Sequence, residues 1–220
     1  MDDRIQKHLD KYIKGFGLEI GHGISPLVKG NVVYADPNNT TYKGEPIKSD
    51  FKYRMENLGF EDNHFDFVVF GDVLEHLTNP IKGLNECRRV LKNNGILFGL
   101  IPDKSKTFDR ERPITTLQHC IDDYADNISV NDDTHWQEWV DLVLKPSGQN
   151  DRIPDKERQI ANGWLHHHCF TLKSVLELFK YVFFKDKILC ITDGLGRDND
   201  KILIVLEVIK NEGCSNTTCA

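Results

Sequence analysis

The sequence predicts an α/β fold, a doubly wound and mostly parallel sheet with a His/Asp-rich insertion acting as a cap. Short apolar runs bounded by turn residues alternate with segments of helical periodicity, a pattern typical of parallel strands joined by right-handed crossovers. This alternation stops after Pro102 and resumes at Thr171, and the residues between are rich in Asp, Arg, His and Trp. A chain of 220 residues can form one such domain with an insertion.

The elements before Pro102 are read from apolar runs, periodicity and turn residues. A short amphipathic helix is expected at 4–14, and Asn79-Pro80 begins a longer helix that Asn93-Asn94-Gly95 ends. Buried strands are expected at 16–20, 31–35, 65–70 and 96–101, with a weaker candidate at 51–55.

After the insertion, the sequence predicts a helix over 171–180 and strands over 187–192 and 201–209. The turn-rich link between these two strands favours an antiparallel pair. We therefore divide the chain into a cofactor-binding half (1–102), an insertion or cap with the acceptor site (103–168), a C-terminal helix and strands that complete the sheet (169–210), and a disordered tail (211–220).

Composition narrows the function classes. The net charge of −6 argues against a nucleic-acid partner, which usually requires a basic face. No apolar run is long enough to cross a bilayer, and residues 1–15 lack the apolar segment of a signal peptide, so we expect a cytoplasmic protein without a membrane span. The six cysteines have no CxxC spacing, so neither a disulfide framework nor a catalytic thiol is expected.

A glycine turn follows the first strand, and Asp36 follows the second. Gly21-His22-Gly23 would let backbone amides approach a ligand closely, with a helix N-terminus behind the turn. A carboxylate at Asp36 can accept hydrogen bonds from a ribose diol, although an Asp-Pro turn explains it equally well. Ser25-Pro26 stands where a dinucleotide fingerprint requires its third glycine, so the turn alone disfavours NAD.

Three longer stretches identify the family. ENLGFEDNHFDFVV (residues 56–69), DVLEHLTNP (72–80) and ECRRVLKNNG (86–95) follow the glycine turn and Asp36 in an order and at spacings that resemble class I SAM-dependent methyltransferases. The resemblance covers about residues 16–102. It implies S-adenosyl-L-methionine (SAM) as cofactor and a class I methyltransferase-like, Rossmann-like sheet.

The resemblance also implies a role for each matched position. The methionine and ribose portion would lie against Glu19, Gly21, His22 and Gly23, the ribose hydroxyls on Asp36, the adenine against Arg54, Met55 and Glu56, and the sulfonium beside Gly71 and Asp72. Arg54 stands where many relatives carry an acidic residue for the adenine amino group, so the backbone of Met55 is the alternative partner. For Glu75 and His76, support of the core is favoured slightly over catalysis.

Five of the nine histidines lie in or just beyond the insertion: His119, His135, His166, His167 and His168. Three interpretations remain open. They hold a divalent metal, with His119, His135 and His168 (or His166) plus a carboxylate as ligands. Alternatively, one is a base without metal while arginines bind an anionic acceptor group. In the third, they are surface or core residues. The spacing of His166 and His168 places both rings on one face of an extended segment.

The insertion also resembles a methyltransferase subgroup associated with bacterial surface-polysaccharide gene clusters, which implies a sugar- or nucleotide-linked small-molecule acceptor. We expect an O-methyltransferase in which His119 is the first choice for the base, followed by His166 and His168. Asp109 would orient the base, and Arg110 and Arg112 would bind an anionic part of the acceptor.

Two rival functions are considered. The first is an NAD-dependent sugar oxidoreductase or epimerase, which needs a Tyr-x-x-x-Lys pair; neither Tyr12 nor Tyr124 has a lysine four residues on. The second is a SAM-binding module without catalysis. The acceptor's identity, the choice between oxygen and nitrogen, and the oligomeric state are not specified by the sequence.

Overall fold

The computed structural model describes residues 2–148 and 155–210. The tail predicted for 211–220 lies outside the described residues. Six helices are described: α1 (Asp3–Tyr12), α2 (Pro80–Val90), α3 (Leu117–Ala125), α4 (Trp136–Trp139, continued by a π-helical turn over Val140–Leu144), α5 (Lys156–Ala161) and α6 (Leu172–Val182). None of the helices in the two described stretches is long and apolar enough to span a membrane.

The six described strands form one sheet, as predicted. They are β1 (Gly17–Ile20), β2 (Val32–Ala35), β3 (Phe65–Gly71), β4 (Leu91–Pro102), β5 (Lys187–Leu195) and β6 (Lys201–Glu207). Their order is β2-β1-β3-β4-β6-β5, and the first four are parallel. Strand β6 is antiparallel to both β4 and β5, which confirms the antiparallel pair expected at the end of the chain.

Alternate residues of the strands face two separate hydrophobic cores. Val68 and Phe70 of β3 pack with α2, α3 and α6, whereas Phe67 and Val69 pack with α1. This period of two follows from the strand geometry, which directs successive side chains to opposite faces. All four β3 residues are fully buried or nearly so. The sheet is therefore covered on both faces, and its ends are left for ligand binding.

Three local expectations were wrong. Helix α2 ends at Val90, before Asn93, because the chain turns directly into β4 and bulges between Leu91, paired with Phe65, and Ile96, paired with Phe67. The strand expected over 51–55 is reduced to one bridge between Phe51 and Ala35. No helix follows the glycine turn, because residues 21–31 form only turns and bends before β2 begins.

The insertion contributes to two layers. Helix α3 lies against α2 and α6, and its Cys120 belongs to the main core. The remaining described part builds a small core of its own from Trp136, Val140, Leu144, Ile160 and Leu165, with Trp139 packed against it. Core packing, one of two interpretations of the tryptophans, thus describes Trp136 and Trp139. We call residues 126–148 and 155–165 the cap.

Candidate functional site

A cavity of about 400 Å³ opens at the carboxyl ends of β1, β2 and β3. This is the edge at which open α/β sheets bind ligands. Of the residues implied as cofactor contacts, seven line it: Gly21, Gly23, Asp36, Arg54, Met55, Glu56 and Asp72. These positions span 52 residues of sequence only because the parallel strands end at one edge.

The glycine turn forms one wall of this cavity, and both glycines are in the left-handed region, with φ of 68° at Gly21 and 56° at Gly23. A Cβ on Gly21 would lie 2.4 Å from Cγ2 of Val73, whereas a Cβ on Gly23 would meet nothing within 4 Å. Gly21 is therefore required by packing as well as by conformation. Gly23 leaves open space on the ligand side.

Asp36 lies at the end of β2 and is 4% exposed. Its Oδ2 accepts a hydrogen bond from the Gly23 amide at 3.2 Å, and its Oδ1 accepts one from the Asn38 amide at 2.9 Å. A carboxylate can accept about four hydrogen bonds, so Asp36 retains acceptor capacity toward the cavity.

Glu56 and Met55 close the opposite end of the cavity. Oε2 of Glu56 is buried and has no hydrogen-bond partner. Burial raises the pKa of this carboxyl, although backbone hydrogen bonds and Arg54 act against the rise. A buried acceptor without a partner in a ligand cavity is typical of a group that a ligand donor completes.

Arg54 has a different role from the one expected. Its Nη2 donates a hydrogen bond to the Ala161 carbonyl at 2.9 Å, so the guanidinium fastens the cap to the cavity wall. Asn162, Gly163 and Trp164, which follow α5, line the cavity as well. Nothing in the local sequence distinguishes these three residues as ligand contacts, because only the folded cap carries them there.

Three residues implied as cofactor contacts lie elsewhere. Glu19, His22 and Gly71 line a second cavity of about 860 Å³, which shares Gly21 and Asp72 with the first. The Glu19 carboxylate accepts hydrogen bonds from the amides of Leu27 and Val28 at 2.7 and 2.9 Å. It thereby fixes the loop that follows the glycine turn.

Asp72, at the end of β3, has a φ of 55°, a left-handed conformation that is uncommon for residues other than glycine. Its Oδ1 accepts a hydrogen bond from Nζ of Lys201 at 2.6 Å. Such conformations persist where surrounding contacts enforce them, and they cluster at functional sites.

The chain of polar contacts beside the cavity begins at His76, which lines it. The ring of His76 meets the ring of His166 edge to face, with centroids 4.5 Å apart. Nδ1 of His166 lies 2.6 Å from Oδ2 of Asp109. The other oxygen of Asp109 accepts from Arg112 at 2.9 Å, and Arg112 also bonds to Glu138 at 2.8 Å. Among the histidines proposed as base, His166 is the one paired with the predicted orienting carboxylate.

The arginines do not have the positions expected of anion-binding residues. Arg112 is 2% exposed, and its guanidinium is committed to Asp109 and Glu138. Arg110 is exposed, and its carbonyl accepts a hydrogen bond from Lys104. Neither lines the cavity, so the expectation that they bind an acceptor anion there was wrong.

His166 and His168 do not share a face. His168 lies with His119 and His135, at ring-centroid distances of 5.4 and 5.7 Å. The reason is a backbone turn in which the amides of both His167 and His168 donate to the carbonyl of Glu75. The predicted extended alternation fails because this segment is not a strand.

The second histidine cluster includes a carboxylate that was not singled out from the sequence. Oδ2 of Asp123 lies 3.4 Å from Nε2 of His119 and 3.7 Å from Nε2 of His168. Burial raises the pKa of Asp123 to about 6 and lowers the pKa of both His135 and His168. The available signal was the spacing of His119 and Asp123, which puts them on one face of α3.

Glu75 is fully buried beneath both clusters. Burial and the nearby Asp72 raise the pKa of its carboxyl well above the ordinary value of 4.5. Burial also lowers the pKa of His76, whose Nδ1 lies 3.1 Å from the Leu165 carbonyl. Both residues therefore favour their neutral forms, in agreement with the expectation that they support the core.

Comparison with known proteins was consistent with this site. Residues 22–99 match a family model described as a methyltransferase domain. Two uncharacterized proteins of Methanocaldococcus jannaschii are 46% identical over 82 residues and 34% identical over 104 residues. These matches cover 37% and 45% of this chain, and they span less than half of each relative, 36% and 49%.

Solved structures share the fold at low sequence identity. A SAM-dependent methyltransferase of Thermotoga maritima, named a possible histamine N-methyltransferase, has a TM-score of 0.52 at 15% identity, over 94% of this chain and 87% of that one. A Pyrococcus horikoshii protein has a TM-score of 0.54 at 17% identity, covering 94% and 88%. A SAM-dependent methyltransferase of Methanosarcina mazei has 0.52 at 16%, covering 93% and 98%. By domain match and fold, the chain groups with the SAM-dependent methyltransferases.

Proposed function

We propose that this protein transfers a methyl group from SAM to an oxygen atom of a small-molecule acceptor, one that is sugar- or nucleotide-linked. The observation that carries the proposal is the 400 Å³ cavity, because seven residues implied by the family resemblance converge on it. Its volume lies within the range of about 300–1,000 Å³ that is usual for small-molecule sites. SAM, when bound, supplies an activated methyl group.

The residues around the cavity fit an adenosine group. Asp36 has free acceptor capacity for two ribose hydroxyls, and the open space at Gly23 accommodates a ligand against the backbone. The unpartnered Oε2 of Glu56 can accept from an exocyclic amine. Arg54 and Trp164 would exclude water from one side, since both line the cavity and Arg54 fastens the cap there.

His166 is the base in this proposal. Its Nδ1 is held by Asp109, which leaves Nε2 to accept the proton of an acceptor hydroxyl as that oxygen becomes a nucleophile. The Asp109 carboxylate would then stabilise the imidazolium, and Arg112 would keep that carboxylate ionised. His119 and His168, the other candidates, lie in the second cluster. Selection of oxygen over nitrogen rests on this base, because a neutral amine does not need deprotonation before attack.

The oxidoreductase alternative is disfavoured by the backbone. Dinucleotide sites bind a pyrophosphate at the N-terminus of the helix that follows the glycine turn, and here residues 21–31 contain no helix. Tyr181 and Lys185 have the spacing of a hydride-transfer pair. However, they follow the end of α6 and precede β5, at the sheet edge opposite the cavity, and neither lines it.

The first experiment is isothermal titration of the protein with S-adenosylhomocysteine, SAM and NADH. Binding of the two sulfur compounds but not of NADH is expected, and an Asp36→Ala variant should bind them about 100-fold more weakly because charge-assisted hydrogen bonds to the ribose are lost. Asp10→Asn, on the exposed side of α1, is the control. Binding of NADH alone would refute the proposal.

The second experiment separates an enzyme from a SAM-binding module. Methyl-labelled SAM is incubated with panels of nucleotide sugars, free sugars and amines, and label transfer is measured for wild type and His166→Gln. Transfer to a hydroxyl compound that the variant loses, while its S-adenosylhomocysteine affinity is kept, is the expected result. A surface-glycan role depends on the sequence resemblance alone, and nucleotide sugars in the panel test it.

A further inference from the structure

We propose that His119, His135, His168 and Asp123 form a binding site for one divalent transition-metal ion, with Zn²⁺ as the preferred ion. The site is separate from the cavity assigned to SAM, since none of its four residues lines that cavity. It lies where α3, the start of α4 and the segment after α5 meet.

The geometry is the first argument. One ring nitrogen from each of the three histidines lies within 4.8 Å of the others. Asp123 Oδ2 adds an oxygen 3.4 Å from His119 Nε2 and 3.7 Å from His168 Nε2. In a tetrahedral site with bonds of about 2.0–2.1 Å, ligand atoms lie about 3.3 Å apart. Each pair therefore needs to close by at most about 1.5 Å, which side-chain rotation provides.

The second argument is the absence of other partners within the described residues. His119 Nε2, Asp123 Oδ2 and both ring nitrogens of His168 are buried without a hydrogen bond. Buried polar atoms almost always have a partner, so four unpartnered atoms directed at one point require an explanation. A cation satisfies all three ligand sets at once, because each atom offers it a lone pair.

The neighbouring group of Glu75, His76 and His166 provides a useful contrast. Its ring nitrogens also lie close together, but Nδ1 of His166 is bonded to Asp109 and Nδ1 of His76 to the Leu165 carbonyl. Protein partners account for the positions of those rings. They do not account for the rings of His119 and His168.

The chemistry of the four ligands favours zinc. Three neutral imidazoles and one carboxylate are borderline donors that suit Zn²⁺, whereas Mg²⁺ and Ca²⁺ prefer oxygen ligands. With Asp123 bound, the coordination shell is closed, as in structural sites. The ion would join three segments distant in sequence and thereby fix residues 166–168, which also carry His166.

The test uses the full chain purified without a histidine tag. Metal content is measured by mass spectrometry after dialysis against a weak chelator, and Co²⁺ is exchanged into the site for visible absorption. We expect about one zinc per chain and an intense four-coordinate cobalt spectrum. Chelation by dipicolinate should lower the melting temperature, and added Zn²⁺ should restore it.

His119→Gln and His135→Gln should each lose the metal and the cobalt spectrum, and their melting temperatures should no longer respond to dipicolinate. His64→Gln, on the exposed surface outside the cluster, is the matched control and should behave as wild type. His119 is chosen because its side chain is 40% exposed, so its replacement should preserve folding. Less than 0.1 metal per chain after incubation with Zn²⁺ and Co²⁺, a weak six-coordinate cobalt spectrum, or full metal content in both variants would overturn the proposal.

Discussion

Asp109 is shared by a histidine and an arginine: its Oδ2 lies 2.6 Å from Nδ1 of His166, and its Oδ1 lies 2.9 Å from Nη1 of Arg112. Burial would raise the pKa of this carboxyl, but the hydrogen bonds and charges of His166 and Arg112 outweigh that effect and lower it. The carboxylate is thus ionised at neutral pH and fixes one ring nitrogen of His166. This relationship leads to the first prediction.

Asp109→Asn should reduce methyl transfer to the acceptor about 10²- to 10⁴-fold in kcat, because a neutral amide neither orients His166 correctly nor stabilises its imidazolium. The affinity for S-adenosylhomocysteine should stay unchanged, since Asp109 does not line the cavity. Rates from label transfer and affinities from titration check the two parts. Asp141→Asn, an exposed position of the cap, serves as control, and an equal loss of affinity and rate would contradict the assigned role.

Gly21→Ala should destabilise the protein more than Gly23→Ala. Both changes place an alanine at positive φ, which costs about 1–2 kcal/mol. Only the Cβ at position 21 overlaps Val73, at 2.4 Å, and overpacking adds about 1–3 kcal/mol. Urea unfolding measures both variants, and Val73→Ala completes a double-mutant cycle with Gly21→Ala. Equal losses at the two positions, or a cycle without coupling, would disprove the steric part.

Glu56→Gln should change how stability depends on pH. Burial raises the pKa of Glu56 above its ordinary value of 4.5, so the folded protein holds this proton more tightly than the unfolded chain. Its contribution is fully present below pH 4.5 and is lost as pH rises through the folded pKa. The variant lacks this loss, so its free energy of unfolding relative to wild type should increase between pH 4.5 and 8. Urea unfolding across that range measures it, and a constant difference would refute the assignment.

Arg54→Lys should loosen the cap over the cavity. The guanidinium donates to the Ala161 carbonyl, and lysine cannot reproduce its planar, fixed geometry. Hydrogen exchange of the amides of residues 161–164 should become faster, and the affinity for S-adenosylhomocysteine should fall about two- to tenfold. Lys52→Arg provides a charge-conserving control near the cavity. Unchanged exchange would show that the contact does not hold the cap.

The sequence predicted the sheet and most of the cavity because both depend on local signals. Apolar runs such as residues 65–70 specify buried strands, and parallel strands bring their following turns to one edge. The turn residues Gly21 and Asp36 therefore met even though nothing local relates them. Helix α1 was equally accessible, since Ile5 and Leu9 have the spacing of one buried face.

The cap could not be predicted in the same way. Its arrangement depends on long-range polar contacts, such as those of Arg112 with Asp109 and Glu138, which no periodicity records. Density of histidines indicated a site in the insertion but did not separate His166 from His168, because one carbonyl of Glu75 receives two consecutive amides and turns the chain. Side-chain roles in such segments are set by tertiary structure alone.

The position of β6 has a consequence for how the chain folds. Strand β4 pairs with β3 on one side but with β6 on the other, and β6 begins 99 residues after Pro102. Until residue 207 has been synthesised, one edge of an apolar central strand remains unpaired. Closing so long a loop is slow, and an open edge of this kind invites association between chains. Efficient production of the protein should therefore depend on rapid docking of its last strand, and slow synthesis or loss of β6 should lead to aggregation.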